Sequence, residues 1–338
     1  MSAKPKISVL LSVYNSEAYI RATVESILNQ TFQDFEFLII NDASTDQSLN
    51  IIKSYGDERI RLINREQNIG LQKNLFDGML LAHGEYIARM DSDDIALPDR
   101  FSEQVRFMDD HPKIGVCGSW YKTFGAGKSV IAKPPTNPDD LRANMLFHAS
   151  LAHPTVMMRK SFFEKFHLNY DRNLHYCEDY ELWSRCLPHF PMANIPKVLL
   201  LYRIRPESAF QAHKQETWDI SYRVRVEMIR KIGIEPTGEE KRLHNSRRPK
   251  DGESIFVFLE KEEKWLEKIL EANKKIQIYE TGSLNNVICE QWRMLCGFNT
   301  KGGISVWKKY QTSSLFKIAG RKKYWDGVKI LIKSVLKK

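Results

Sequence analysis

Three times in its first 85 or so residues the chain runs through the same cycle, and then it begins a fourth. A short apolar, β-branched run ("KISVLLSVY", "FEFLIINDAS", "RIRLINR") gives way to polar residues, and a segment with apolar positions at helical spacing follows. The fourth run is "EYIARMDSDD". Strands separated by helices of this length imply right-handed crossovers and a parallel sheet. Ser16 is placed to cap the first helix with Glu17 in its opening turn. Gly70 and Gly84 bracket the third helix. Polar residues close three of the runs, as "VYNSE" at 13–17, "INDAST" at 40–45 and "MDSDD" at 90–94. In an open α/β sheet, ligands bind beyond the carboxyl ends of the strands. Three polar clusters distant in sequence are therefore expected at one sheet edge.

The last of these clusters sets Asp91, Asp93 and Asp94 within four residues. If the strand persisted, Asp91 and Asp93 would point the same way, because side chains alternate. Like charges so close repel, and burying either unpaired costs several kcal/mol. A hard divalent cation such as Mg²⁺ or Mn²⁺ would relieve that repulsion and could bridge a diphosphate. The alternative is an acid-rich turn or helix start, for which Asp94 ahead of Pro98 is suited.

Composition narrows the class. With 338 residues, 42% of them hydrophobic, the chain can fill one large core or two domains. No apolar run approaches the roughly 18 residues of a membrane span. The N-terminus lacks the small-residue cleavage site of a signal peptide. Five scattered cysteines with no C-x-x-C pair suggest free thiols rather than disulfides or zinc. Together these features point to the cytoplasm. The net charge of +9 is concentrated at one end: residues 301–338 carry eleven Lys or Arg against one acid, Asp326, so the rest is close to neutral. Lys329, Lys333 and Lys337 share a helical face beside Val328, Leu331, Ile332, Val335 and Leu336. That pattern fits an interfacial helix on anionic lipid and fits equally a docked C-terminal helix with a solvated lysine face. Basic charge without a recognised binding motif gives no reason to expect nucleic acid. The polar stretch "GEEKRLHNSRRPKDGE" at 238–253 reads as a linker or exposed connection, within a mainly helical region that starts near 215.

Six segments in order, "ISVLLSVYNSEAYI", "NDASTDQSL", "NIGLQKN", "MDSDD", "AHPTVMMRK" and "EDYELW", resemble the motif series of family 2 glycosyltransferases. The resemblance covers residues 6 to 210. It implies an α/β GT-A fold, with a Rossmann-like nucleotide-binding half, an acceptor half and a mainly parallel sheet. The domain expected at 1–215 is followed by a helical region at 216–338 with the basic tail.

The resemblance also assigns roles. Asp93 is the expected metal ligand for Mn²⁺ or Mg²⁺, and Asp91 is expected to contact the donor ribose or sugar or to share the metal. Asp42 matches a uracil-binding aspartate, Tyr14 could pack on the base, and Glu17 could reach the ribose or base. Asn68, Gly70 and Lys73 open a helix that could present amides and a cation to the nucleotide. Asp179 matches the catalytic base, with Glu178 positioning it or binding acceptor, and His153 is expected to line the site. Several bland readings compete: acids in a first helical turn are stabilising with no function, and the same positions suit Tyr14 as strand-end packing and Lys73 as a solvated surface lysine. Arg205 stands where the family often has a histidine; it could hold the diphosphate but cannot ligate a metal.

The function these residues imply is transfer of a hexose or aminohexose from a nucleotide-sugar donor, UDP-linked, to a hydroxyl of a surface polysaccharide or lipid-linked glycan. It would proceed by metal-dependent single displacement with inversion. The absence of a Q-x-x-R-W motif and of membrane spans argues against a processive synthase. The basic residues 321–338 would suit an anionic membrane surface at the inner face of the cytoplasmic membrane. Two alternatives are a catalytically silent nucleotide-sugar-binding protein and a sugar nucleotidyltransferase, though "SVYNSEAY" lacks the glycine-rich phosphate loop of the latter.

Overall fold

The computed structural model describes residues 4–205, 213–319 and 330–334. Two compact units emerge: 1–141 with 149–221, and 142–148 with 222–338.

The first unit is built on one mixed sheet. Its strands are β1 (Ile7–Val13), β2 (Phe35–Asn41), β3 (Ile60–Asn64), β4 (Tyr86–Met90), β5 (Ile95–Ala96), β6 (Val116–Gly125), β7 (Ile131–Ala132), β8 (Met157–Arg159) and β9 (Met192–Ile204). They lie in the order β3-β2-β1-β4-β8-β6-β9-β5, with β7 hairpinned onto β6. The ladders β1–β2, β1–β4, β2–β3 and β6–β9 are parallel, and the short ones made by β8, β5 and β7 are antiparallel. The expected cycle is thus present: α1 (Ile20–Leu28), α2 (Ser48–Lys53) and α3 (Leu71–Leu81) separate the first four strands. Ile7, Val9, Leu10, Leu11 and Val13 of β1 are wholly buried, as are Phe37 to Ile40 of β2. Such continuous apolar runs belong to parallel strands covered on both faces. Helix α3 lies so close to β1 that a Cβ on Gly78 would come within 2.3 Å of Leu10 Cδ1.

Three further helices complete the unit's scaffold: α4 (Arg100–Asp110), α6 (Lys160–Lys165) and α7 (Glu178–Cys186), with α5 (Pro138–Asn144) between α4 and α6 in the chain. The two-residue ladder between β5 and β9 pairs Ile95 with Leu201 and Ala96 with Leu200. It brings Arg203 and Arg205 alongside the acidic residues that precede β5.

The second unit is helical: from α8 (Lys214–Lys231) the chain runs through α9 (Gly238–Asn245), α10 (Ile255–Ile276), α11 (Thr281–Phe298), α12 (Ile304–Thr312) and α13 (Ser314–Ala319). Phe258, Leu259, Glu262, Trp265, Leu266, Ile269, Leu270 and Asn273 form the buried stripe of α10 at helical spacing. His244 accepts from Trp265 Nε1 at 3.2 Å, which leaves its Nε2–H to donate to Leu146 O at 3.0 Å. Burial lowers its pKa to about 3, so the ring is neutral.

Two sequence expectations are corrected here. Residues 238–245 are a helix, not a linker. Thr237 accepts from the Glu240 amide while Glu240 accepts from the Thr237 amide, a complete capping box. Helix α1 begins at Ile20 with no side-chain cap. Ser16 is engaged elsewhere, donating toward Tyr14 O and exchanging a hydrogen bond with Ser92. None of the five cysteines forms a disulfide, and four are buried. Among the described residues no helix is long and apolar enough to cross a membrane. Of the basic tail only Ile330–Ser334 is described; the rest of the expected amphipathic helix lies outside the described residues.

Candidate active site

The parallel register sets Val13 opposite Asn41 and Leu11 opposite Met90, so the loops after β1, β2 and β4 emerge at one sheet edge. There they are cross-linked by side chains. Asn15, in the left-handed region at φ 45°, receives the Thr45 amide on Oδ1 at 2.8 Å and donates its own amide to Ser44 Oγ at 3.1 Å. Glu17 accepts the Gln47 amide at 2.8 Å, and its own amide donates to Asp46 at 2.9 Å. Asp42 is almost fully buried, and its two oxygens accept the amides of Ile69 and Gly70 at 2.9 and 3.0 Å. Gly70 heads α3 at φ 91°, a conformation that costs other residues heavily. The Ser16–Ser92 bond, 2.8 Å, joins this assembly to the acidic loop. Tyr14 is half-exposed, Asn68 is exposed, and Lys73 is half-buried in the first turn of α3 with no carboxylate partner among the described residues.

Strand β4 ends at Met90 and the chain turns through Ser92 and Asp93, so Asp91 and Asp93 sit on a turn rather than on a continuing strand. Each acid meets a different arginine or amide. Arg89, only 2% exposed, pairs with Asp91 at 2.6 Å. Arg205 Nε lies 2.6 Å from Asp93 Oδ2. Asp94 Oδ1 accepts the Arg203 amide at 2.7 Å, and its carbonyl accepts the Thr23 hydroxyl at 2.8 Å. Burial and the charge of Asp91 raise Asp93, against the pull of Arg205 and Arg89. The same two causes raise Asp94 further. Asp94 is thereby a tie between the acidic loop and β9.

The donor chemistry suits a small hard cation. Oxygen atoms of Asp91, Asp93 and Asp94 all lie within 4.8 Å of one another, and Asp94 Oδ2 is buried with no hydrogen-bond partner. All-oxygen sets of this kind hold Mg²⁺ or Mn²⁺.

The second acid pair heads α7. Tyr176 and Cys177 both adopt left-handed backbone, at φ 65° and 58°, which turns the chain sharply into Glu178 and Asp179. Glu178 Oε1 lies 3.5 Å from His153 Nδ1, and His153 Nε2 meets Tyr170 Oη at 2.8 Å. Burial works to raise Glu178, but His153, by hydrogen bond and charge, overrides it and lowers the pKa to about 2. Asp179 moves the other way, raised by burial and by the Glu178 charge despite the opposing pull of His153. Neighbouring acids driven apart in this manner take different roles. Arg89 links the two acid groups electrostatically. Burial disfavours its charge, yet Asp91 and Glu178 hold it protonated, and it acts in turn on Glu178 and Asp179. Its Nε and Nη1 have no hydrogen-bond partner.

Neither Arg89 nor Arg203 was foreseen from sequence. A lone charge inside the apolar "YIARM" was the available signal for Arg89. His148 belongs to the second unit, where it lines a cavity of about 40 Å³ with His244 and Glu262.

A mixed sheet with nucleotide-type strand ends, an acidic turn and a helix-borne acid pair defines a GT-A glycosyltransferase. The sequence profile of glycosyl transferase family 2 matches residues 8–166. An uncharacterised glycosyltransferase of Haemophilus influenzae is 31% identical over 252 residues, covering 68% of this chain and 76% of that one. The amylovoran biosynthesis glycosyltransferase AmsE of Erwinia amylovora is 30% identical, covering 68% and 87%. The fold matches Staphylococcus aureus TarS, solved with UDP-GlcNAc, at a TM-score of 0.58 and 20% identity over 91% of this chain and 92% of that one. It also matches the mannosyltransferase PcManGT of Pyrobaculum calidifontis, solved with GDP-Man and Mn²⁺, at 0.53 and 14% over 99% and 87%. The chain belongs to glycosyl transferase family 2.

Proposed function

We propose that this glycosyltransferase moves a hexose or aminohexose from a UDP-sugar to a hydroxyl of a surface polysaccharide or lipid-linked glycan, with inversion at the anomeric carbon. The observation that carries the reading is the pairing of two acid groups across one buried arginine: Asp91 bound to Arg89, and Asp179 raised beside the lowered Glu178. A carboxylate with a raised pKa is a fitting general base. AmsE, whose name places it in amylovoran biosynthesis, and TarS with its UDP-GlcNAc support the choice of acceptor and donor.

In this mechanism Asp179 takes the proton of the acceptor hydroxyl. The oxygen lone pair forms the new bond to the anomeric carbon, and the bond to the diphosphate breaks with its electron pair leaving on UDP. The proton passes from Asp179 to solvent. Asp93 and Asp91 would hold a Mn²⁺ or Mg²⁺ ion, which would supply positive charge to the leaving diphosphate. Asp42 keeps a free lone pair on each oxygen for the uracil N–H while it fixes the Ile69–Gly70 turn. Tyr14 packs on the base, Glu17 holds the ribose-side loop, and Asn68, Gly70 and Lys73 face the nucleotide. Arg205 transfers from Asp93 to the diphosphate, and His153 orients Glu178. The enzyme works beside an anionic membrane surface at the cytoplasmic face, with residues 321–338 as one contact.

The test is a panel of UDP-sugars with glycan acceptors, read by UDP release and by the anomeric configuration of the product. Transfer with inverted configuration, lost in Asp179→Asn while UDP-sugar still binds, is expected. Binding without turnover for every acceptor would favour the silent binding protein. A product with retained configuration would defeat the single displacement.

A further inference from the structure

The second unit contains an open groove of about 620 Å³ whose floor includes Ile255, Met294 and Phe298. Phe298 leaves 42% of its surface exposed. Around this floor stand Arg248, Lys301 and Lys333, all exposed and none with a carboxylate partner among the described residues. A fourth cation, Arg293, is committed to Glu290. Among the described residues no acid lines the groove. Gathering three unpaired cations at one site raises the local potential and favours an anion there.

The apolar floor narrows what that anion can be. Free phosphate would use the cations and gain nothing from Phe298. An amphiphile with a phosphate head and hydrocarbon beneath it would use both. The surrounding sequence strengthens the charge argument: residues 321–338 contain seven Lys or Arg and one acid.

We infer that this groove seats the phosphate head group of an anionic membrane lipid, with Arg248, Lys301 and Lys333 on the phosphate and Phe298 against the adjoining hydrocarbon. The inference rests on the reading that the enzyme works beside an anionic membrane. It is independent of donor binding, so UDP-sugar affinity measured on the same samples separates a failure here from a failure of the proposed activity.

The test is flotation of the full-length chain with vesicles of phosphatidylglycerol and phosphatidylcholine in equal parts, and with phosphatidylcholine alone. The wild-type chain is expected to float with the anionic vesicles only. Arg248→Ala/Lys301→Ala/Lys333→Ala should weaken that partition roughly tenfold or more, at unchanged UDP-sugar affinity. A charge-matched variant, Lys264→Ala/Lys275→Ala/Lys308→Ala, should weaken it much less. Phe298→Ser should weaken it without any change of charge. Equal losses from the two triple variants would reduce the effect to net charge and overturn the groove. So would saturable binding of inorganic phosphate without flotation, which would mark a free-anion site. Preferential retention of an oligonucleotide over vesicles would also overturn it.

Discussion

Arg205 and Asp93 meet at 2.6 Å, so the carboxylate assigned to a divalent ion is already neutralised by the chain's own guanidinium. Metal and arginine must therefore compete for Asp93, or share it. Arg205→Ala is expected to tighten Mn²⁺ binding about tenfold, roughly 1.4 kcal/mol for an exposed-side charge pair. Manganese titration followed by electron paramagnetic resonance, without nucleotide, reads this directly. Unchanged or weaker Mn²⁺ affinity would show that Arg205 does not oppose the ion.

Asp91 and Asp93 differ in what they leave behind. Asp91→Asn strips a buried arginine of its carboxylate, a loss of about 2 kcal/mol once the one-third exposure of Asp91 is allowed for. Asp93→Asn removes a charge that burial and Asp91 already disfavour, so it should leave thermal stability unchanged or raise it. Calorimetric melting of the two variants side by side checks the contrast. Equal destabilisation would deny Arg89 its dependence on Asp91.

Acidic pH should act on the two α7 carboxylates in opposite ways. The raised Asp179 accepts its proton first as pH falls, so transfer should decline at a pH above the ordinary aspartate value of 3.8. Glu178 is lowered in the fold to about 2 from 4.5. Its contribution to stability is fully present above 4.5 and is lost as pH falls from there toward 2. A pH–rate profile and a pH series of melting temperatures should therefore separate, with activity failing before the fold. Coincident loss of the two would contradict the assignment.

In the helical unit, burial raises Glu262 of α10 to about 9, and its Oε1 has no partner. A folded acid with a raised pKa holds a proton that the unfolded chain releases, so stability declines between pH 4.5 and 9. Glu262→Gln should stabilise the protein by about 1–3 kcal/mol at pH 8 and by almost nothing at pH 4. Denaturant melts at the two pH values decide it; a pH-independent difference would place a charged Glu262 in the fold.

The three cycles of apolar run and helix were legible because parallel strands covered on both faces are written as continuous Val, Leu and Ile. The acidic turn was legible because three aspartates in four residues demand a partner. That partner was not. Arg89 is one polar letter inside "YIARM", and nothing local says that Glu178 and Asp179, some ninety residues on, share its field. Arg203 and Arg205 reach the turn through a ladder of two residue pairs, far too short to announce itself. The helix at 238–245 went unread because its polar composition outweighed a readable T-x-x-E capping signal at Thr237 and Glu240. Ser16 had the right chemistry for a cap, but the neighbouring loop claimed its hydroxyl first.

The β5–β9 ladder has a consequence for how such a sequence can vary over generations. Arg203 in β9 and Arg205 just past its end both lie over the Tyr19 ring, and their distance from Leu201 is counted in whole residues. Swapping a side chain along that stretch changes one interaction. Inserting or deleting a single residue between Leu201 and Arg205 reverses every side chain beyond it, turning both guanidiniums away from the acids at a stroke. The hairpin loop at 126–130 carries no such count. Lineages of this enzyme should therefore drift freely in length at that hairpin and hold the end of β9 to a fixed number of residues.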